Sequence, residues 1–251
     1  MELERLTRLT LEVGRTLMSA GAETYRAEQT MEHVARALGG QQIEIFAVPT
    51  GVFLSVRVGE DVQTGLAQVR ARETDLRKIA LINNLSRALE SGQITAEELE
   101  QRLQGLAHLP QIRWRRRLGT AIGCAASALL LGGTLVDSAM AMLLGWAVFE
   151  ISEALIRLEV GGWFLSYAFG SFAGGGLAVT VAHLPGTSLQ GLLVASVLPL
   201  VPGVALTNGV RDLIGAHLLS GSARAIEAAT IGAILAAGAT TGVAVAGSLW
   251  P

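Results

Sequence analysis

The hydrophobic rhythm of the chain changes several times. Leu3, Leu6, Leu9, Val13 and Leu17 recur at helical spacing, so residues 3–18 read as an amphipathic helix ending at Ser19-Ala20-Gly21. A second helix is expected from Ala22 to Leu38, with Ala27, Met31, Val34, Ala35 and Leu38 on its apolar face and Gly39-Gly40 as its stop. The period then falls to two. Ile43, Ile45 and Ala47 alternate with Glu44 and Phe46, and Val52, Leu54, Val56 and Val58 alternate with Phe53, Ser55 and Arg57. With Pro49-Thr50-Gly51 between them, these runs predict a hairpin, and a weaker third strand falls near Gly65–Ala71. Helical spacing returns from a Thr74 cap to Glu90. Thr95-Ala-Glu-Glu98 is a capping box opening a helix with Leu99, Leu103 and Leu106 on one face, which stops before Pro110.

Beyond Leu118 the pattern is no longer amphipathic. Five apolar runs follow, at Leu118–Val136, Ser138–Ile156, Val160–Ala182, Leu189–Asn208 and Ala225–Trp250. Each approaches the roughly 20 residues needed to cross a bilayer core. Charge falls away at the same place. Residues 1–117 hold 16 of the 19 lysines and arginines and 15 of the 21 acidic residues. With 51% hydrophobic residues and a mean hydropathy of +0.47, the expected fold is an α-helical membrane protein. A cytoplasmic α+β domain of order ααβββαα (1–112) precedes a transmembrane domain of about five helices (113–251).

Arg113-Trp-Arg-Arg-Arg117 abuts the first apolar run and reads as a cytoplasmic interface; a nucleic-acid patch does not fit, because the rest of the domain is not basic. All seven basic residues from 113 onward fall on one side of a five-span arrangement, which sets the N-terminus inside and the C-terminus outside. The charged N-terminus lacks the apolar core of a signal peptide. Cys124, the one cysteine, reads as a small packing residue. Gly119-xxx-Gly123, Gly170-xxx-Gly174 and Gly238-xxx-Gly242 have the spacing that lets helices approach closely, as in a tight bundle or an oligomer.

Chemistry is sparse. There is no phosphate loop, no CxxC and no HExxH, and His33 and His108 are isolated, so neither a cofactor nor a metal is expected and no enzyme constellation is present. The segment GAETYRAE (Gly21–Glu28) reads either as ordinary capping with surface charge pairs or as a binding site. Glu150 lies deep in the second apolar run with no partner evident, and Glu153 sits one turn on. A carboxylate there is costly unless it faces a bundle interior or a wet cavity. Proton coupling or substrate contact is one reading; for Glu153 a pair with Arg157 is the plain alternative. In the fourth run Pro199, Pro202 and Gly203 should break the helix, and Asn208, Arg211 and Asp212 then share a helical face. That stretch reads as a polar site on a discontinuous helix or as a kinked span ending at an inner loop.

These residues carry a resemblance. PGVALTNGVRDLIGAHLLSGSARAIEA (Pro202–Ala228) is similar to the signature of the threonine/serine exporter (ThrE) family, with Pro202, Gly203, Asn208, Asp212, Gly221, Arg224 and Glu227 matching. GAETYRAE, VRARETDLRKIALINNLSRAL and GQITAEEL (Gly92–Leu99) extend the likeness over the N-terminal half. The resemblance implies an exporter of small hydrophilic metabolites in the bacterial inner membrane. Single-chain members carry a second membrane domain; the 251 residues here resemble the longer subunit of the split form. That form pairs with a separate small membrane subunit and is associated with C4-dicarboxylates such as succinate, the single-chain form with threonine and serine. Proton-driven export is then expected, with Glu150 linked to the proton and Asn208, Arg211 and Asp212 lining the site. The rival class is a membrane sensor or scaffold working through its cytoplasmic domain.

Overall fold

A computed structural model describes residues 2–70, 73–107, 113–158 and 162–249. His108, Pro110, Val160, Trp250 and Pro251, which entered the expectations above, lie outside them. The chain divides into two compact units, one of residues 1–110 with 203–227 and the other of 111–202 with 228–251.

In the first unit, α1 (Leu3–Ser19) buries Leu6, Leu9, Val13 and Leu17 to 1% exposure or less. Gly21, at φ +80°, closes its end. The helix α2 (Thr24–Ala37) begins two residues later than expected, because Glu23 is extended and serves as the N-cap. Strands β1 (Gln42–Val48), β2 (Gly51–Val58) and β3 (Asp61–Gln68) form an antiparallel sheet in that order. The third strand starts at Asp61 and not at Gly65, since Gly59 at φ +63° makes a second tight turn directly after β2. Alternation sets the faces: Ala47, Val52, Leu54 and Val56 point to the core, while Phe46, Phe53 and Leu66 point out. The helix α3 (Leu76–Glu90) is capped by Asp75 and not by Thr74; its carboxylate accepts the N–H groups of Arg77 at 3.0 Å and Lys78 at 3.1 Å. The Thr95–Glu98 capping box opens α4 (Ala96–Ala107) as expected, with bonds of 2.9 and 3.3 Å. One core runs through these elements, from Leu6 to Leu106.

The second unit is helical. It contains α5 (Arg113–Leu130), α6 (Leu135–Arg157), α7 (Gly162–Val181) and α8 (Leu189–Val197), followed by a 3-10 turn at Leu198–Leu200. The first apolar run ends six residues earlier than expected. Gly132, at φ +84°, terminates α5, and a Thr134–Asp137 capping box starts α6, so Asp137 sits inside a helix and not between two. The break at the prolines is present: Pro199 lies in the 3-10 turn, Val201 is extended ahead of Pro202, and α9 (Gly203–Ile214) begins afresh. The last helix, α10, runs over Leu218–Leu249. By length and composition α6, α7 and α10 could each cross a membrane, and a fourth span is counted if the broken pair Leu189–Leu200 and Gly203–Ile214 acts as one. Helix α5 has 18 residues, but four of them are arginine.

Two of the three glycine pairs mark close contacts. A Cβ on Gly242 would fall on the Phe172 carbonyl oxygen, and one on Gly175 on that of Ala239, so α7 and α10 touch backbone to backbone. Gly170 and Gly174 face Ser152 and Ser196. Gly119 and Gly123 meet nothing within 4 Å, so their spacing marks no contact among the described residues. Serines bond across helices, Ser152 Oγ to Ser166 O and Ser196 Oγ to Gly174 O, both at 3.3 Å. Trp146, Trp163 and Phe169 are about half exposed, an apolar surface typical of a membrane protein.

Candidate functional site

The bridge between α1 and α2 in the first unit turns three backbone groups outward, and α9 with the start of α10 reads all three. The positive φ of Gly21 directs its carbonyl to Asn208, whose Nδ2 donates at 2.9 Å. The next carbonyl, Ala22 O, accepts from Arg224 Nη2 at 2.7 Å. At the first residue of α2, the Thr24 N–H donates to Asp212 Oδ1 at 3.1 Å and its hydroxyl to Oδ2 at 2.9 Å. Glu23 provides no side-chain cap. Asp212 therefore caps α2 from 188 positions away, placing a negative charge where the helix has free N–H groups and a partial positive charge. Arg224 Nε completes the node 3.3 Å from Asp212 Oδ2. Asp212 is 2% exposed and Arg224 6%, so this ion pair is buried and hydrogen-bonded on both sides.

A second contact lies beside it. Glu28 Oε1 accepts the Ala47 N–H at 2.8 Å, Ser220 Oγ donates to Ala47 O at 3.1 Å, and His217 Nδ1 stands 3.7 Å from Glu28. Burial pushes the Glu28 carboxyl above its ordinary range, opposed by the Ala47 N–H and by His217. The α9–α10 turn that carries His217 holds Ala216 at φ 64°, where a glycine is usual.

The three residues expected to act together on the fourth run separate by role. Asn208 and Asp212 are buried in the node, whereas Arg211 is exposed and pairs with Glu23 at the surface. GAETYRAE is more than capping: Glu23 and Arg26 do form a surface pair at 3.3 Å, but Thr24 and Glu28 bind α9 and β1. Thr24, Arg224 and Ser220 were not among the expected site residues. The available signal was Arg224 itself, a cation nearly two turns into a long apolar helix.

In the second unit Glu150 has a partner after all. Arg117 Nη2 donates to Glu150 Oε2 at 2.9 Å, and its Nε to the other oxygen. Glu153 is shared by Arg116 at 3.3 Å and Arg157 at 3.6 Å. Because α6 ends at Arg157, Glu150 is seven residues, about 10 Å, from that end. Two carboxylates and three guanidinium groups thus gather at one end of an apolar bundle. At the other end of α6, Asp137 is 1% exposed and accepts the N–H groups of Thr134 at 2.9 Å and Ser188 at 2.6 Å.

Long apolar helices, three of them able to cross a membrane by length and composition, with an α+β unit at the N-terminal end of the chain, define a multi-pass helical membrane protein. Residues 8–246 match the family model ThrE, described as "Putative threonine/serine exporter", and the chain belongs to that family. It is 23% identical over 220 residues to the "Probable threonine/serine exporter" of Mycobacterium tuberculosis, covering 86% of this chain but only 41% of that protein. It is 23% identical over 247 residues to the "Probable succinate transporter subunit YjjP" of Escherichia coli, covering 98% of this chain and 94% of that one. The subunit of the same name from Klebsiella aerogenes is 22% identical over 251 residues. No solved structure matches the chain.

Proposed function

We propose that this chain is the larger subunit of a two-subunit secondary exporter of small hydrophilic metabolites. The substrates would be threonine/serine-type amino acids or C4-dicarboxylates such as succinate. The relatives named "Probable succinate transporter subunit YjjP" support a multi-subunit arrangement. The partner is then a separate small membrane subunit. We place the chain in the bacterial inner membrane with five spans, α5 and the broken Leu189–Ile214 segment among them, the N-terminus cytoplasmic and the C-terminus outside. Residues 1–112 are the cytoplasmic domain of this reading and 113–251 the membrane domain.

One observation carries the transport reading: the cluster of Arg116, Arg117, Glu150, Glu153 and Arg157 on membrane-type helices. Ionisable pairs in such helices mark ion and substrate paths. A substrate carboxylate can compete with Glu150 for Arg117, and protonation of Glu150 weakens the same pair, which links proton movement to substrate release. Asn208, Arg211 and Asp212 then serve transport by tying the broken helix to the cytoplasmic domain, with Pro199, Pro202 and Gly203 supplying the break.

The test is efflux of labelled serine, threonine and succinate from proteoliposomes, with and without the small subunit and with and without a proton gradient. Glu150→Gln should lower gradient-driven efflux by at least tenfold while the protein inserts normally. Undiminished efflux by Glu150→Gln removes Glu150 from the mechanism. A flat result with every substrate and partner favours a sensor or scaffold instead.

A further inference from the structure

The sheet of the first unit has two edges, and they are treated differently. At the β1 edge, the Ala47 N–H is taken by Glu28 and its carbonyl by Ser220. At the β3 edge, no described residue bonds the outward backbone groups of Asp61–Gln68. After Asp61 at its start, the strand has no charge and no proline, the devices that normally guard an open edge. Val62 and Leu66 are 52% and 60% exposed on its outer face.

We propose that β3 is a docking edge for a second copy of this chain. Two β3 strands would pair antiparallel about a twofold axis at Thr64, joining two three-stranded sheets into one. This inference does not rest on the transport reading. With that register Val62 lies opposite the partner's Leu66, and Leu66 opposite the partner's Val62, so the exposed apolar row Phe46–Phe53–Leu66 continues across the axis.

The flanking helix carries a charge pattern of the same symmetry, with Arg8 held within the chain by Glu100 at 2.7 Å and Arg15 near Glu12 at 3.8 Å. Glu4, Arg8, Glu12 and Arg15 of α1 line, together with β3, one open groove of about 960 Å³. Their signs alternate. Set antiparallel to its own copy, α1 places Glu4 opposite the partner's Arg15 and Arg8 opposite the partner's Glu12, every pair attractive. A parallel arrangement would set like on like. The two centres coincide, because Gly65 packs under Thr7 and Leu11: a Cβ there would lie 2.6 Å from Leu11 Cδ1 and 3.1 Å from Thr7 Cγ2. The middle of β3 is thus under the middle of α1, and one axis serves both. Isologous twofold contacts need this kind of self-complementarity.

The test is disulfide trapping of the full chain in native membranes, in a Cys124→Ala background. Opposed residues of an antiparallel pair have Cα atoms about 4.5–5.5 Å apart, within disulfide reach. Thr64→Cys should cross-link to a dimer on mild oxidation. Phe53→Cys, exposed on the same face but one strand in, should not. Arg15→Glu should cut the Thr64→Cys yield several-fold, and adding Glu4→Arg to the same chain should restore it. Failure of Thr64→Cys to link, equal linking by Phe53→Cys, or a yield indifferent to Arg15→Glu would each overturn the proposal. So would a dimer held only through the membrane helices, seen as dimeric mass without the Thr64 link.

Discussion

At the scale of the residue, the buried charges Asp137, Asp212 and Arg224 each meet specific partners, and the half-buried Glu28 carries a pH signature. Its carboxyl is raised above its ordinary range chiefly by burial. The folded state therefore holds this proton to higher pH than the unfolded chain does. Stability from this group is fully present below the unfolded value and is lost as pH rises from there through the raised folded value. Glu28→Gln keeps an oxygen to accept the Ala47 N–H and has no proton to lose. It should flatten the fall in unfolding midpoint as pH rises above the ordinary glutamate value of about 4.3, measured by denaturant titration of the detergent-solubilised protein. An unchanged slope would show that the carboxyl does not titrate in that window. His217 is the partner to watch, since its charge acts against the effect of burial on Glu28.

At the scale of the element, the helices of the second unit depend on missing side chains. Gly242 has no room for a Cβ against Phe172 O and lies close to Gly176 N, whereas Gly119 and Gly123 face open space. Gly242→Leu should separate α7 from α10 and lower stability by about 1–3 kcal/mol, the usual cost of overpacking. Gly119→Leu should be close to neutral. Thermal unfolding in detergent compares the two, and equal losses would contradict the α7–α10 contact. The i, i+4 glycine spacing is the same in both places. Sequence alone therefore identified candidates for close approach but could not separate the pair that is used from the pair that is not. The strands show the converse. Period-two alternation gave the correct faces of β1 and β2, but β3 was displaced because its start depends on the turn at Gly59.

At the scale of the whole molecule, the chain returns residues 203–227 to the unit built by its first 110 residues. Asp212 is the centre of that return. Asp212→Ala leaves Arg224 and the first turn of α2 without their carboxylate. Removing one partner of a buried pair costs about 3–5 kcal/mol. Thr24→Val removes one hydroxyl bond and should cost about 1–2 kcal/mol. Because both changes act on one contact, the double variant should be little worse than Asp212→Ala alone. Hydrogen exchange at the α2 amides reads all three, and strictly additive losses would refute the contact.

The division of labour between sequence and tertiary structure follows from range. Helical and strand periods, the capping boxes, the proline break and the composition change near Leu118 are local properties, and the residues themselves determined them. The family was legible too, because its motifs are contiguous. What only the folded chain decided was who meets whom. Asp212 meets Thr24 across 188 positions, and Glu150 meets Arg117 across 33. No period encodes such pairings. They arise because burying a charge is tolerable only beside its complement, and packing alone brings that complement near.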